Sequence, residues 1–330
     1  MVDVPILGWY DKRNVGDDAF KEVFEDVVLE IDSTATISYY TQRQISPGLN
    51  KIILGAGDVV RPFYIEKIPK DTDIFIIGAG LGYESEIGLI EGRSVPFSLF
   101  RNKADVQLAR SFKLEAEYCP DITYLIEDLE PLPIQMGEGK ILGVFLSDEI
   151  NPTSDRTEST KEYLYCEYLK WELAAILDYL HDYYHICFVA YSTLETINDH
   201  KVSLDIYRRM SHRDNVSFIT QPLSMRQALW LMKQFELVIS MKFHGIMFAV
   251  NQGVPFINIA ETRKTQQFCT ENQLMHLSIP RCSLEKERFL EVVKVAEAAE
   301  TRHAIQATSA NLKELARRQL PRAVARFMAA

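Results

Sequence analysis

Cysteine is scarce in this chain, and no two cysteines have the CxxC spacing of a metal or redox motif. The five are Cys119, Cys166, Cys187, Cys269 and Cys282. Their odd number and wide spacing argue against a disulfide framework, because disulfide-rich secreted domains carry an even set of cysteines within a short chain. A reducing compartment fits this usage better, and we therefore expect a cytoplasmic protein.

The chain also lacks an excess of positive charge and long apolar runs. Lys and Arg number 36 against 46 Asp and Glu, which gives a formal net charge of −10. Binding along a nucleic-acid backbone needs a basic surface, so we expect no nucleic-acid partner. No apolar run is long enough to span a bilayer, and the N-terminal stretch does not have the pattern of a secretory signal.

Two signatures of bound cofactors are missing as well. Histidines, cysteines and carboxylates show no metal-ligand spacing, so we expect no required metal and no cofactor. Gly78, Gly80 and Gly82 do not have the spacing of a dinucleotide-binding fingerprint. The sequence therefore gives no reason to expect a resident prosthetic group.

What the chain does contain is a repeated alternation of strands and helices. With 330 residues, 47% of them hydrophobic, two domains are the default expectation. Short apolar runs alternate with helical patterns in both halves, which predicts an α/β fold with two parallel sheets packed with helices. The segment 127–140 contains the prolines and glycines typical of a linker. We therefore assign residues 1–135 and 136–283 to two domains and residues 284–330 to C-terminal helices.

The strongest sign of chemistry lies in the second half of the chain. Lys242 and His244 follow a short apolar run at the point where a helix begins, and Arg263 and Lys264 follow the next apolar run. Ligands of open α/β sheets bind at the carboxyl ends of the strands, and a helix N-terminus favours anions. We expect a binding site for an anionic ligand here.

Glycine-containing segments mark the corresponding places in the first half. Asn14, Gly16 and Asp17 lie in a polar turn after the first apolar run, and Gly57 and Gly80 each end a Gly-Ala-Gly segment after a later one. Glycine at a strand end lets the backbone approach a ligand closely. The turn also has a purely structural explanation, because glycine tolerates positive φ and a carboxylate complements the helix dipole. Both interpretations stay open.

Together these segments resemble the polysaccharide pyruvyl transferase family. The turn around Gly16 is similar to that family's Asn-x-Gly-Asp signature, and the strand–Gly-x-Gly segments follow it in order. Lys242-Phe243-His244, Gly253-Val254-Pro255, Lys264 and Phe268 are similar to the family's strand–Arg-x-His–helix–Gly-Val-Pro–Lys-x-x-x-Phe block. The resemblance extends over most of the first 275 residues.

The resemblance implies two Rossmann-like domains arranged as in GT-B glycosyltransferases. It also implies transfer of a pyruvyl group from phosphoenolpyruvate to two hydroxyls of a sugar, forming a ketal. The donor would bind the 136–283 domain, and the 1–135 domain would bind the acceptor: a glycan, a sugar nucleotide or a lipid-linked saccharide. Two positions depart from the family. Lys242 replaces its usual arginine, and Leu146-Ser147-Asp148 lacks an arginine often found there.

This reaction assigns roles to the candidate residues. We predict that His244 is the general acid/base, because imidazole exchanges protons in both directions near neutral pH. Asp17 would assist proton transfer or bind sugar hydroxyls. Lys242 and Lys264 would hold the phosphate and carboxylate of the donor, and Arg263 is a further candidate for the same task. The remaining substrate-binding candidates lie in the first half of the chain: Asn14, Gly16, Gly57 and Gly80.

Several alternatives remain at this stage. His244 could be a helix-capping or core residue, and Lys242 and Lys264 could be solvated surface cations. The whole chain could be a GT-B-type glycosyltransferase that uses a sugar nucleotide, or a catalytically impaired family member that binds a glycan or a partner protein. The basic segment 317–327 would allow peripheral membrane contact, although a solvated or packed final helix is the simpler interpretation.

Overall fold

The computed structural model of the protein describes residues 2–41, 45, 48–134, 136–147, 150, 160–194 and 198–330. The chain forms two compact units. The first comprises Met1–Lys12, Gly16–Glu127 and Ala310–Ala330, and the second comprises Arg13–Val15 and Asp128–Ser309. The sequence predicts that the first domain ends at residue 135. Gln135 lies outside the described residues.

The first unit is built on a six-stranded parallel sheet in the order β2-β1-β3-β4-β5-β6. Its strands are β1 (Asp3–Leu7), β2 (Thr36–Tyr40), β3 (Lys51–Gly57), β4 (Asp73–Ala79), β5 (Phe97–Phe100) and β6 (Ala116–Tyr118). Central strands such as β3 are apolar and buried, as expected of a parallel sheet covered on both faces. The strand order reverses between β1 and β3. The crevice at their carboxyl ends is therefore where an open sheet binds ligands.

Helices of the first unit follow the amphipathic patterns of the sequence. They are α1 (Val15–Ile31), α2 (Pro62–Ile65) and α3 (Lys103–Ser111), with 3-10 turns at Glu84–Ile90 and Ile122–Leu125. The buried face of α1 carries apolar side chains at helical spacing: Phe20, Val23, Phe24, Val27 and Val28. The spacing of these apolar residues in the sequence therefore matches the buried face of the helix.

Strand β1 ends at Leu7, earlier than the apolar run 4–10 indicates. Beyond the strand the chain folds back, so that Tyr10 is buried and its hydroxyl donates a hydrogen bond of 2.8 Å to the carbonyl of Gly55. A Cβ on Gly8 would lie 2.5 Å from the Tyr10 ring, so the turn requires glycine at that position. Tyr10 is therefore a core residue rather than an exposed aromatic at a strand end.

The second unit contains a five-stranded parallel sheet in the order β11-β10-β7-β8-β9. Its strands are β7 (Ile141–Phe145), β8 (His185–Val189), β9 (Val216–Ile219), β10 (Leu237–Ser240) and β11 (Phe256–Asn258). The chain passes from β7 to β8 and β9 on one side and returns to β10 on the other. The crevice at the carboxyl ends of β7 and β10 is thus the topological switch point of this sheet.

The helices of the second unit are α4 (Thr160–Leu180), α5 (Asp199–Arg209), α6 (Met225–Met232), α7 (Phe243–Gln252), α8 (Arg263–Glu271) and α9 (Lys286–Glu297). Helix α10 (Ala299–Ala329) follows, and from Ala310 onward its residues belong to the first unit. Two parallel sheets with helices between their strands confirm the predicted α/β fold.

The basic end of α10 packs through its apolar face, while its arginines stay exposed. Phe327 is buried with its ring 5.1 Å from that of Phe75 in β4, and its carbonyl accepts a hydrogen bond of 2.7 Å from Lys51. Arg326 pairs with Glu115. In the part of the chain that the structure describes, no helix has the length and apolar character needed to cross a membrane.

Candidate active site

The turn between β10 and α7 is fixed by the hydroxyl of Ser240. This Oγ accepts a hydrogen bond of 3.0 Å from the N–H of Lys242 and donates one of 2.9 Å to the Lys242 carbonyl. A Cβ on Gly245 would lie 2.3 Å from the same oxygen, so only glycine lets the first turn of α7 pack there. The backbone of Lys242, and with it the start of α7, is therefore held in one position.

The ammonium group of Lys242 is engaged with a buried carboxylate. Its Nζ lies 3.0 Å from Oδ1 of Asp199 and 3.1 Å from Oγ of Ser192. The other oxygen of Asp199 accepts a hydrogen bond of 2.8 Å from the N–H of Ser192. Burial raises the pKa of Asp199, and the charge of Lys242 opposes that shift. Lys242 is therefore neither a solvated surface cation nor an isolated one.

His244 lies in the first turn of α7 and is half-buried. Its ring is 5.4 Å from that of Phe243 and 5.6 Å from that of Phe248. These two contacts hold the imidazole against the helix while part of it stays accessible to solvent. The side chain is thus held against the start of α7, half-buried, with its Nε2 shielded from solvent.

Arg263 and Lys264 form the first turn of α8, directly after the carboxyl end of β11. Nζ of Lys264 lies 5.6 Å from the centroid of the Phe243 ring, so the first turns of α7 and α8 lie side by side. Neither first turn contains a carboxylate. Helix N-termini usually attract acidic residues, and two that carry cations instead are suited to binding an external anion.

Asn14 belongs to the same neighbourhood in the second unit. Its backbone forms an antiparallel bridge with that of Ser192, and the N–H of Val15 donates a hydrogen bond of 3.3 Å to the carbonyl of Tyr191. Ser192 in turn contacts Lys242. The structure therefore brings together Asn14, Lys242, His244 and the start of α8, a grouping that the sequence did not indicate for Asn14.

Asp17, Gly16 and Gly57 lie at the switch point of the first sheet. Asp17 is in the first turn of α1, with Gly16 buried beside it, and Gly57 ends β3 with φ of +78°. A Cβ on Gly57 would lie 3.1 Å from Oδ1 of Asp17. Burial raises the pKa of Tyr64, and the nearby charge of Asp17 adds to that shift. Asp17 is therefore a half-buried carboxylate that lies against the backbone of residue 57, a position that requires glycine.

Gly80 has a different neighbour, the buried guanidinium of Arg101. A Cβ on Gly80 would lie 2.7 Å from Nε of Arg101. Arg101 follows β5 and forms ion pairs with Asp58, which follows β3, and with Asp121, 3.3 Å away. Burial alone would lower the pKa of Arg101, but the charges of Asp58, Asp121 and Asp17 raise it. Gly80 thus makes room for a salt-bridge cluster that ties three strand ends together.

The two switch points differ in charge. The first unit places three carboxylates around one guanidinium, whereas the second places Lys242, Lys264 and Arg263 near helix N-termini with Asp199 as counter-charge. An acidic cluster suits hydroxyl groups as ligands, and a cationic one suits anions. Across the described residues, no group of three or more His, Cys, Asp or Glu side chains is placed to hold a metal ion.

Solved structures resemble the chain over nearly its whole length. The Anabaena HepE protein in complex with UDP-glucose has a TM-score of 0.62 at 10% identity, covering 100% of both chains. The UDP-GlcNAc 2-epimerase of Neisseria meningitidis, bound to UDP-GlcNAc, has a TM-score of 0.60 at 12% identity, covering 98% of this chain and 100% of that chain. The glycotransferase of kitacinnamycin has a TM-score of 0.59 at 9% identity, covering 99% of both. At such identities the likeness concerns the fold alone, and it confirms the GT-B-like class expected from the sequence.

Sequence comparison gives a narrower result. No curated protein matches the chain. The profile of the polysaccharide pyruvyl transferase family matches residues 14–263. This span contains every site residue expected from the sequence except Lys264.

Proposed function

The chain belongs to the polysaccharide pyruvyl transferase family, and on that premise we propose that it transfers the pyruvyl group of phosphoenolpyruvate to a sugar as a ketal. The acceptor would be a polysaccharide or its precursor, presented as a glycan, a sugar nucleotide or a lipid-linked saccharide. We place the reaction in the cytoplasm, as the cysteine usage indicates. The observation that carries the proposal is the pair of cation-bearing helix N-termini beside His244.

The second unit supplies what the donor needs. Phosphoenolpyruvate carries a phosphate and a carboxylate, and its binding therefore calls for cations and N–H donors close together. The first turns of α7 and α8 offer both, with Lys264 beside Phe243 and Lys242 at the start of α7. Asp199 directs the ammonium of Lys242 through their ion pair, while reducing the net positive charge that an anion meets.

The chemistry is a proton-balanced exchange at C2 of the donor. C3 accepts a proton, C2 forms bonds to two sugar oxygens, and the bond from C2 to the phosphate oxygen breaks. Of the two protons released by the sugar hydroxyls, one ends on C3 and the other leaves with phosphate. His244 is the side chain proposed to move these protons, because it alternates between acid and base. No step in this sequence calls for a redox or metal cofactor.

The acidic cluster of the first unit is proposed to bind the acceptor. Asp17 faces the end of β3 at the switch point, where a carboxylate can accept hydrogen bonds from sugar hydroxyls. Asp58 and Asp121 form ion pairs with Arg101 in the same cluster. Gly16 and Gly57 let the backbone approach the sugar closely.

A substitution at Gly57 tests the role of Asp17 without removing its carboxylate. Gly57→Ala is expected to lose about 1–2 kcal/mol of stability, because alanine disfavours positive φ, and to lower turnover because the new Cβ displaces Oδ1 of Asp17. Gly92→Ala is the matched control: φ is +73° there, and no atom lies within 4 Å of the added Cβ. Urea unfolding should show similar losses, and turnover should fall only for Gly57→Ala. Equal turnover in both variants would remove Asp17 from the acceptor site.

Two other functions remain as alternatives. A glycosyltransferase that uses a sugar nucleotide is favoured by the likeness to a protein solved in complex with UDP-glucose. A catalytically impaired member that binds a glycan or partner protein is favoured by Lys242, which lacks the bidentate fork of the family arginine and is paired with Asp199. Asp148, where a second arginine is absent, lies outside the described residues.

One assay separates the three functions. The full chain is incubated with phosphoenolpyruvate and a panel of glycans, sugar nucleotides and lipid-linked saccharides, and phosphate release and acceptor mass are followed. Pyruvyl transfer predicts acceptor-dependent release of phosphate and a ketal on the acceptor. Release of UDP from a sugar nucleotide, with phosphoenolpyruvate unchanged, would identify a glycosyltransferase. Calorimetric binding of phosphoenolpyruvate without turnover of any acceptor would identify an impaired enzyme.

A further inference from the structure

Helix α4 presents a solvent-facing row of apolar side chains that the proposed reaction does not use. The aromatic stripe, as we call it, consists of Leu164, Tyr168, Trp171, Ala175 and Tyr179. Their spacing of three or four residues places them on one face of the helix. The four larger side chains are each between 40% and 60% exposed, and Ala175 is exposed as well. The opposite face of α4 is buried, through residues such as Leu173 and Leu177.

The central ring of the stripe is held in place by a salt-bridge network. The guanidinium of Arg209 lies 5.6 Å from the centroid of the Trp171 ring. Arg209 pairs with Glu167 at 2.6 Å and with Asp205. Buried Lys170 bridges the same two carboxylates at 3.1 and 2.8 Å. Because the ring is already fixed, docking against it would lose little side-chain entropy.

We propose that the aromatic stripe is the interface of a homodimer, in which α4 packs antiparallel to α4 of a second copy about a twofold axis beside Trp171. Leu164 precedes Trp171 by nearly the same number of residues as Tyr179 follows it. The same holds for Tyr168, before Trp171, and Ala175, after it. In an antiparallel pair, Leu164 therefore faces the partner's Tyr179, and the large ring of Tyr168 faces the partner's Ala175. A twofold interface requires this kind of self-complementary surface.

The exposed area is sufficient for such an interface. With aromatic side chains of roughly 150–250 Å² each, the exposed fractions of the stripe and of neighbouring Tyr183 correspond to roughly 500 Å² per chain. Two copies would bury about 1,000 Å² from these side chains alone, close to the roughly 1,200–2,000 Å² of stable interfaces. A patch of this size lies within the range of the largest apolar patches on soluble proteins, which often mark interaction sites.

Charge favours a second copy over a membrane as the occupant. The chain carries a net charge of −10, which opposes adsorption to an anionic bilayer. The stripe itself has no ionised side chain, and the cations beside it, Arg209 at Trp171 and Lys286 at Tyr179, lie against its rings.

Sedimentation of the full chain tests the proposal. Analytical ultracentrifugation is expected to show a dimer for the wild type and a monomer for Trp171→Glu. Tyr163→Glu is the matched control, because Tyr163 lies on another side of the same helix and is 47% exposed. It should remain dimeric, and circular dichroism should be the same for all three proteins. A monomeric wild type, or equal dissociation of both variants, would overturn the proposal. Wild-type monomers that bind anionic vesicles through Trp171 would do so as well.

Cysteine cross-linking tests the antiparallel register independently. Cys282 is the exposed cysteine and is first replaced by serine. Trp171→Cys should then form a disulfide-linked dimer under mild oxidation, since the two copies of residue 171 meet at the axis. Tyr168→Cys and Ala175→Cys should cross-link when mixed and not when oxidised separately. The antiparallel pairing would be excluded if each of these two variants cross-linked with itself and the two did not cross-link with each other.

Discussion

Replacing His244 by glutamine is expected to reduce turnover about 10²–10⁴-fold, the range that a general acid/base contributes. Glutamine keeps a polar side chain of similar length but cannot exchange a proton. The ring of His244 is half-buried against Phe243 and Phe248, so its loss removes contacts at the surface rather than opening a core cavity. Phosphate release at saturating phosphoenolpyruvate measures the effect, and thermal unfolding monitors the fold.

His276→Gln is the control for this substitution. His276 is an exposed residue of the second unit, in the 3-10 turn Met275–Leu277, and it plays no part in the proposed chemistry. Its replacement should leave turnover unchanged. A near-normal rate for His244→Gln, with the same melting temperature as the wild type, would remove His244 from the mechanism.

Replacing Lys242 by methionine is expected to affect both stability and donor binding. Asp199 has no exposed surface, and loss of its counter-charge should cost about 3–5 kcal/mol, as for other buried pairs broken on one side. The same change removes a cation from the start of α7, so affinity for phosphoenolpyruvate should fall. Urea unfolding and calorimetry measure the two effects separately.

The double variant Lys242→Met/Asp199→Asn separates the structural role of Lys242 from its role in binding. Neutralising both partners removes the uncompensated charge, so most of the lost stability should return, and the coupling between the two changes measures the pair. Affinity for the donor should remain low. Wild-type stability of the single Lys242→Met protein would show that the pair contributes little. Wild-type affinity in the double variant would show that Lys242 does not bind the donor.

The sequence predicts the sheets well because their central strands are short apolar runs. Lys51–Gly57 and Leu237–Ser240 are read directly from such runs. Strand β6 is harder to foresee, since it has only three residues, Ala116–Tyr118, with Glu117 in the middle. Its place at the sheet edge comes from pairing with β5, which no local pattern encodes.

The partners of the predicted site residues could not be foreseen, because they lie far away in sequence. Asp199 reaches Lys242 from the start of α5, and only the parallel order of β8, β7 and β10 brings those loops together. Arg101 similarly joins loops after three different strands. A weak signal did exist: Asp58 and Arg101 are charged residues directly after apolar runs, and Lys242 also follows one closely.

The assignment of Ala310–Ala330 to the first unit has a consequence for the order in which the chain can fold during synthesis. Phe327 completes the core around Phe75, yet the ribosome adds it after the whole of Asp128–Ser309. The first sheet to be translated is therefore not the first to be finished, and its face beside Phe75 stays uncovered while the second sheet forms. Chaperone occupancy on the nascent chain would be highest over that interval.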